Sequence, residues 1–175
     1  MFDPIKDDVL NSVFKKLLES NDFALMDNNT VQILELFSTL TDISVWIMNA
    51  EFSFTFVTKT IEQITGYSAE EFNIETFRAL MTPKSHSLFM HIKEMILNSE
   101  FDNDDSIIKL DVEIIKRNEQ KSWVEISIHP FYKQNTYIGV LGFCRDISSR
   151  KLIEKELIKN RNRYLTFFWC FLLSS

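Results

Sequence analysis

The second half of the chain holds three consecutive stretches whose residue pattern is that of antiparallel strands. In "IIKLDVEIIKRN" (107–118) and "KSWVEISIHPFY" (121–132), apolar residues alternate with polar ones. Because successive side chains of a strand point to opposite faces, this alternation predicts strands with one buried face. The joint "RNEQ" is short, and Asn118 can adopt the left-handed conformation that a hairpin turn needs. A third strand is predicted in "TYIGVLGFCRDI" (136–147), where Gly139 and Gly142 indicate a bulge or a close backbone contact.

The first half adds two short strands and several helices. "ISVWIM" (43–48) and "SFTFVT" (53–58) are rich in β-branched and aromatic residues, as strands are. Helical spacing of apolar residues predicts a helix at 31–40, short helices at 59–65, 68–72 and 75–81, and a longer one at 85–99. This order predicts an α+β fold: a five-stranded antiparallel sheet with helices gathered on one face.

The N-terminal segment is predicted to form a separate amphipathic helix. Asp3 and Pro4 suit a helix N-cap and first position, and apolar residues follow at helical spacing. These are Ile5, Val9, Leu10, Val13, Phe14, Leu17 and Leu18. Trp123 shares the polar face of its strand, so we expect the N-terminal helix to cover it or to contact a second subunit. The predicted division is 1–30 for the N-terminal helix and linker, 31–148 for the domain, 149–165 for a C-terminal helix and 166–175 for an apolar tail.

Charge and composition exclude several classes of function. The segment 145–163 carries seven basic and three acidic residues, which leaves −10 for the rest of a chain whose net charge is −6. An acidic body argues against nucleic acid as a partner. Two cysteines form no metal-binding spacing, and no phosphate-binding glycine loop or nucleophile motif is present, so no enzyme is predicted.

The two ends of the chain set the expectations for its location in the cell. The N-terminus lacks the pattern of a signal peptide, so a cytoplasmic location is predicted. "YLTFFWCFLL" (164–173) is apolar but shorter than the roughly 20 residues that span a bilayer. Any membrane contact is therefore expected only through this tail. The helical pattern is predicted to stop near Arg163. The alternatives for the residues beyond it are a chain that is truncated, shifted in frame or cut before a membrane span.

Four stretches in this order resemble the PAS family of sensory domains. They are "QITGYSAEEF" (63–72), "MTPKSH" (81–86), "WVEISIHP" (123–130) and "IGVLGFCRDISSRKLIEKEL" (138–157). The resemblance covers about residues 36–157. It implies a sensory or regulatory module that passes a signal through the joint Asp146-Ile147-Ser148 to a C-terminal helix. Thr58 stands where the family usually has Asn, and Phe52 stands where the turn between the first two strands usually has Gly.

The resemblance also raises the question of a cofactor. Relatives hold haem, flavin or small metabolites between the sheet and the helices, and many hold none. The Asn-Cys-Arg motif of flavin photoreceptors is absent, and Cys144 is expected to be a small buried apolar residue. His91, on the same helix as His86, is the candidate haem ligand, against the ordinary reading of a surface or packing histidine. His129 is predicted to be structural.

The joint and the helix after it are predicted to carry the output. Asp146 can accept a hydrogen bond from a backbone N–H one or two residues on, and Ser148 or Ser149 can cap the helix. Ile153, Leu157 and Tyr164, with Asn160 between them, have the spacing of a coiled-coil seam. We therefore expect a homodimer through the N-terminal and C-terminal helices, in a signal-transduction protein of the histidine kinase or cyclic-nucleotide type. The alternative is a dimerisation or protein-docking domain of the same fold without a ligand.

Overall fold

A computed structural model describes residues 27–98, 107–134 and 136–173. The described elements are, in order, α1 (Asn28–Thr41), β1 (Ile43–Asn49), β2 (Phe54–Val57), α2 (Ile61–Thr65), α3 (Ile74–Ala79), α4 (Pro83–Leu97), β3 (Ile108–Ile115), β4 (Lys121–Lys133), β5 (Thr136–Asp146) and α5 (Ser148–Leu173). The predicted N-terminal helix lies outside the described residues.

The five strands form one antiparallel sheet in the order β2-β1-β5-β4-β3. This confirms the predicted α+β class and the five-stranded sheet. The register between β4 and β5 shifts between Phe131 and Tyr132, where Gly139 lies opposite Phe131. The bulge that Gly139 indicated is therefore present, and it bends the pair at the end far from the joint.

The two faces of the sheet are covered by different helices. Leu34 of α1 packs with Val45 and Phe143 on one face. Trp46, the next residue along β1, packs with Ile92 of α4 on the opposite face. The prediction that helices gather on one face thus holds for the helices between β2 and β3, while α1 lies on the other face, called here the outer face. Both faces of β1 are buried as a result.

A cluster of buried hydroxyl groups fastens α1 to the sheet. Ser38 and Thr58 are fully buried, and their side-chain oxygens lie 2.8 Å apart. Ser38 Oγ also lies 2.6 Å from Thr60 Oγ1, and Thr58 Oγ1 lies 3.2 Å from Ser44 Oγ. The backbone N–H of Val45 donates to Thr58 Oγ1 at 2.9 Å. Thr58 thus ties a helix to the sheet with a hydroxyl at the position where the family usually has Asn.

Removing the central hydroxyl of this cluster should destabilise the fold. In Thr58→Val the shape is nearly kept, but the Val45 N–H and two buried hydroxyls lose a partner. An unsatisfied buried polar group costs about 1–3 kcal/mol, and we expect a loss of unfolding free energy in that range. Urea denaturation measures it, with Thr55→Val on the exposed side of β2 as the matched control. Equal effects of the two substitutions would contradict this role for the cluster.

Two tight turns place bulky residues in the left-handed conformation. In the hairpin between β3 and β4 that residue is Glu119, with φ 65°, so the prediction that Asn118 would adopt it is wrong. The side chain of Asn118 instead accepts a hydrogen bond from the N–H of Gln120 at 3.1 Å, which closes the turn from outside. Phe52, in the turn between β1 and β2, has φ 60° where the family usually has Gly.

The predicted helix at 68–72 is a turn. Ser68 and Glu71 form a capping box, in which the N–H of each residue donates to the side chain of the other, at 3.1 and 3.3 Å. No helix follows them, because Asn73 begins α3 by accepting hydrogen bonds from the N–H groups of Glu75 and Thr76. A capping box therefore marks a chain reversal here and not a helix start.

The last helix is longer than predicted. It begins at Ser148 and continues to Leu173, so the predicted end near Arg163 is wrong. The residues change from charged to apolar after Arg163, but no Gly or Pro interrupts the helix there. Among the helices of the described residues, none combines the length and the apolar character needed to cross a membrane.

Candidate signal-transmission joint and interior cavity

Asp146 stands at the point where β5 ends and α5 begins, and its carboxylate has three partners. Oδ1 accepts from the backbone N–H of Ser148 at 2.8 Å, as predicted. Oδ2 accepts from Ser122 Oγ of β4 at 3.0 Å and from Lys116 Nζ at 3.0 Å. One side chain thus joins the start of the helix, the neighbouring strand and the hairpin between β3 and β4.

Ile147 and Ser148 complete the joint. The Ile147 N–H donates to the carbonyl of Trp123 at 2.8 Å, and the Ile147 side chain is buried. Ser148 Oγ accepts from the Trp123 N–H at 3.0 Å and lies 2.8 Å from Ser122 Oγ. The hydroxyl of Ser148 therefore faces β4. It does not cap the helix, which was the role predicted for Ser148 or Ser149. The residue fixes the helix start to the sheet.

The electrostatics of the joint favour a charged Asp146. Partial burial acts to raise the pKa of its carboxyl group, but hydrogen bonds from Ser148, Lys116 and Ser122 outweigh this and hold the pKa at about 2. The carboxylate is therefore ionised throughout the physiological range. It works as a constant hydrogen-bond acceptor and is not a proton donor.

The first turn of α5 is also ion-paired to the outer face of the sheet. Arg150 contacts Asp111 of β3 at 3.1 Å and Glu125 of β4 at 2.9 Å. Lys151 contacts Asp111 as well, and its Nζ lies 5.3 Å from the centre of the Trp123 ring. The hydrogen bond from Lys151, with the nearby positive charges, lowers the pKa of Asp111 despite its partial burial. We call these four charged residues the clamp.

The clamp was not predicted from the sequence. Within the helix, Glu154 also lies 3.7 Å from both Arg150 and Lys151. The alternation of side chains along β3 and β4 could have indicated the clamp. Asp111 and Glu125 lie directly opposite each other on these neighbouring strands, on the same face as Trp123. Two acids side by side on one sheet face need cations, and the helix supplies them. Its first turn thus partly covers Trp123, for which a cover was predicted.

A small cavity lies between the sheet and helices α3 and α4. Its volume is about 50 Å³, and Ser85 is the one polar residue among those that line it. Ser85 Oγ already donates to the carbonyl of Glu113 at 2.6 Å. A second cavity of about 30 Å³ lies beyond Trp46 and Phe77, which line both. Sites for drug-sized ligands are roughly 300–1,000 Å³, so neither space fits haem or flavin in this conformation.

Trp46, which lines both cavities, packs against strand β5. It lies opposite Gly142 in the register of β1 and β5. A Cβ at position 142 would lie 2.0 Å from the indole carbon Cζ2, so only glycine lets the ring lie flat against the strand. The close contact that Gly142 indicated in the sequence is therefore a contact with an aromatic ring.

The other candidate residues lie away from the cavity or are inert. His91, the candidate haem ligand, is exposed and lies outside both cavities; with His86 it lines an open surface depression of about 640 Å³ along α4. Cys144 is buried among apolar residues, and burial raises the pKa of its thiol to about 12. It is the small buried residue that was expected, since a protonated thiol in such surroundings is unreactive. His129 packs edge to face on Phe131, with ring centres 4.6 Å apart.

A comparison of the sequence with known protein families finds one match. The profile of the PAS domain matches residues 23–149, which includes the sheet, its helices and the joint. The chain belongs to the PAS domain family. No curated protein sequence matches the chain significantly. The resemblance to the PAS family that the four sequence stretches indicated is thus confirmed over residues 23–149.

Solved PAS structures share the fold at low sequence identity. A sensory box histidine kinase/response regulator from Burkholderia thailandensis is 14% identical with a TM-score of 0.60, covering 75% of this chain and 96% of that one. The N-terminal domain of a diguanylate cyclase with PAS/PAC sensor from Marinobacter aquaeolei is 16% identical with a TM-score of 0.54, covering 62% and 98%. A PAS domain from Colwellia psychrerythraea is 19% identical with a TM-score of 0.51, covering 67% and 98%.

Proposed function

We propose that this PAS domain is a sensory module whose output is the position of α5, set through Asp146, Ile147 and Ser148. The observation that carries the proposal is the joint itself. The carboxylate of Asp146 contacts the start of the helix, strand β4 and the β3–β4 hairpin at once. A shift of the sheet therefore changes the contacts that hold the helix start, and the population of helix positions shifts with them. The effector that reads the helix is proposed to be of the histidine kinase or diguanylate cyclase type, as in the relatives.

The apolar side chains of α5 suit a paired helix. Ile153 and Leu157 are 58% and 64% exposed, and Tyr164 is 76% exposed. With Asn160, these residues are spaced alternately by four and three, which is the seam of a coiled coil. The helix itself continues to Leu173, beyond the predicted end near Arg163, so its length does not limit this pairing.

Charges beside this seam favour a parallel pair with a second copy. In the heptad that the seam defines, Glu156 occupies position g and Arg161 the following position e. In a parallel dimer a g residue faces the next e residue of the other helix. Glu156 of each copy would therefore lie beside Arg161 of the other copy, which gives two equivalent ion pairs. Asn160 then faces its own copy, which fixes the register. In this arrangement the clamp fixes the first turn of α5 to the sheet, and pairing with the second copy fixes the later turns.

The proposed pairing predicts a charge-reversal result. Glu156→Arg and Arg161→Glu each place like charges across the seam and should weaken dimerisation by about tenfold, whereas the double variant restores it. Sedimentation equilibrium measures the dissociation constant. Lys155→Glu, on the outer side of the helix, is the matched control and should change it little. A chain that is monomeric at all accessible concentrations would contradict the proposed output.

The small cavity favours a second function, a PAS-fold dimerisation or docking domain without a ligand. A space of about 50 Å³ with apolar walls admits only a small uncharged molecule unless Trp46 moves. Absorbance spectra and native mass spectrometry of the purified protein distinguish the two functions. A retained small molecule supports the sensory module. A colourless protein of the mass of the bare chain that dimerises tightly supports the docking domain.

A further inference from the structure

Helix α1 carries an apolar stripe on the flank that does not touch the sheet. Ile33, Leu36 and Leu40 are 40%, 62% and 75% exposed. Residues three and four apart lie on the same side of a helix, so the three side chains form one continuous surface. The side toward the sheet is marked by Leu34 and Ser38, which are fully buried. Within the described part of the chain, α1 is thus covered on one side and bare on the adjoining flank.

The spacing of this stripe is that of a helix–helix contact. Asn29 lies one turn before Ile33, and positions 29, 33, 36 and 40 alternate by four, three and four residues. This is the pattern with which one helix packs against another along its length. The flank on the other side, with Asn28, Glu35 and Thr39, is polar. The stripe therefore fits a second helix and not a flat surface.

The sequence before α1 predicts such a helix. The helix begins after Asp27, whose side chain accepts a hydrogen bond from the Thr30 N–H at 2.7 Å. Upstream, residues 3–18 carry seven apolar side chains at helical spacing, which predicts an amphipathic helix that needs an apolar partner. The connection "ESNDFALM" (19–26) has the length of a turn between antiparallel helices.

We infer that residues 3–18 dock on the α1 stripe of the same chain as an antiparallel helix. In such a hairpin Phe14 lies beside Ile33, and Leu10 lies beside Leu36. The short connection keeps the segment at a high effective concentration next to the stripe, which favours it over a second copy of the protein. The surface differs from the one around Trp123 that the sequence suggested.

The docked segment has a mechanical connection to the sheet. Helix α1 is held to β1 by the hydroxyl cluster around Thr58, and Val45 of β1 pairs with Phe143 of β5. Strand β5 ends at Asp146. The N-terminal segment would therefore lie against the element that adjoins the output strand. The inference does not depend on the proposed sensory function, since it concerns only which surface the segment covers.

The test uses the full chain with Leu36→Glu/Leu40→Glu. Hydrogen exchange of peptides within residues 3–18, followed by mass spectrometry, should show protection in the unaltered protein and at least a tenfold loss of it in the variant. The molecular mass from light scattering should not change. Thr39→Glu is the matched control, because it neighbours Leu40 in sequence but lies on the polar flank. Leu10→Glu should reproduce the loss from the other side of the contact.

Two results would overturn the inference. The first is a segment 3–18 that exchanges as fast in the unaltered protein as an unfolded peptide does. The second is a variant that lowers the molecular mass while the segment stays protected, which would assign the stripe to a second copy. Far-ultraviolet circular dichroism confirms that each variant is folded, so a failure of folding is recognised separately.

Discussion

Gly142→Ala will be among the most destabilising single methyl additions in this protein. The new Cβ would lie 2.0 Å from Cζ2, 2.1 Å from Cε2 and 2.3 Å from Cη2 of Trp46, whereas carbon atoms in contact lie about 3.5–4 Å apart. The indole is 6% exposed and packed among Met48, Ile92 and Val140, so it has no free space of its own size to enter. We expect a loss of about 3 kcal/mol of unfolding free energy, at the upper end of the usual cost of overpacking.

A smaller residue at position 46 should remove much of this cost. Trp46→Leu alone leaves a larger cavity and should cost about 3 kcal/mol. Together with Gly142→Ala it should be at least 1 kcal/mol less destabilising than the sum of the two, because the methyl group then occupies space the ring has left. Urea denaturation followed by circular dichroism is suitable, since it does not rely on Trp46 fluorescence. Ile138→Val, on the same strand but packed on the outer face, is the matched control for additivity.

Full additivity of Gly142→Ala and Trp46→Leu would contradict the assigned contact. The cycle also bears on ligand binding. If the double variant is stable, its interior holds less aromatic volume than the natural one. Retention of a small apolar molecule by Trp46→Leu but not by the natural protein would then identify Trp46 as the residue that limits what the cavity accepts.

The role of Trp46 was not predictable from the sequence pattern, and the reason is physical. Strand β1 is buried on both faces, so "ISVWIM" shows no alternation that would tell one face from the other. Strands β3 and β4 have one polar face, and there the alternation placed Ile108, Val112 and Val124 in the core correctly. The alternation of polar and apolar residues thus predicted the strands of the sheet. The position of α1 depends on packing between distant segments, which the sequence of one segment does not show.

The joint shows the same limit at the level of single contacts. The hydrogen bond from Ser148 N–H to Asp146 spans two residues and was predictable. Ser122 and Lys116 are 24 and 30 residues away from Asp146, and only the register of β3, β4 and β5 brings them to it. The clamp likewise depends on the direction in which α5 leaves the sheet. Local chemistry was therefore readable from the sequence, and contacts across strands were not.

Asp146→Ala should leave the domain folded and release the first turn of α5. The substitution removes the acceptor for the Ser148 N–H and the partner of Ser122 and Lys116. Loss of a helix-capping contact and of charged hydrogen bonds costs about 2–3 kcal/mol together. We expect amide exchange at residues 147–151 to accelerate at least tenfold, while the amides of β1 and β5 stay protected. The clamp still holds Arg150, so the helix is loosened and not detached.

Asp146→Asn separates the two parts of this effect. The amide oxygen still accepts from the Ser148 N–H, so the helix start should remain protected, but the ion pair with Lys116 is lost. Ser149→Ala, an exposed change in the same turn, is the control and should leave exchange unaltered. Equal acceleration by Asn and Ala would contradict the assignment of Oδ1 as the contact that holds the helix.

The stability difference between the natural protein and Asp146→Asn should depend on pH, and the direction of the change can be stated. In the folded protein the pKa of Asp146 is about 2, below its ordinary value of 3.8, so the charged form stabilises the fold. This contribution is complete above pH 3.8 and is lost as the pH falls toward 2. The difference in unfolding free energy between the natural protein and Asp146→Asn should therefore be largest near neutral pH and shrink in that acid window. Urea denaturation at several pH values measures it. A difference that stays constant down to the lowest pH would mean that the ionised carboxylate does not hold the joint.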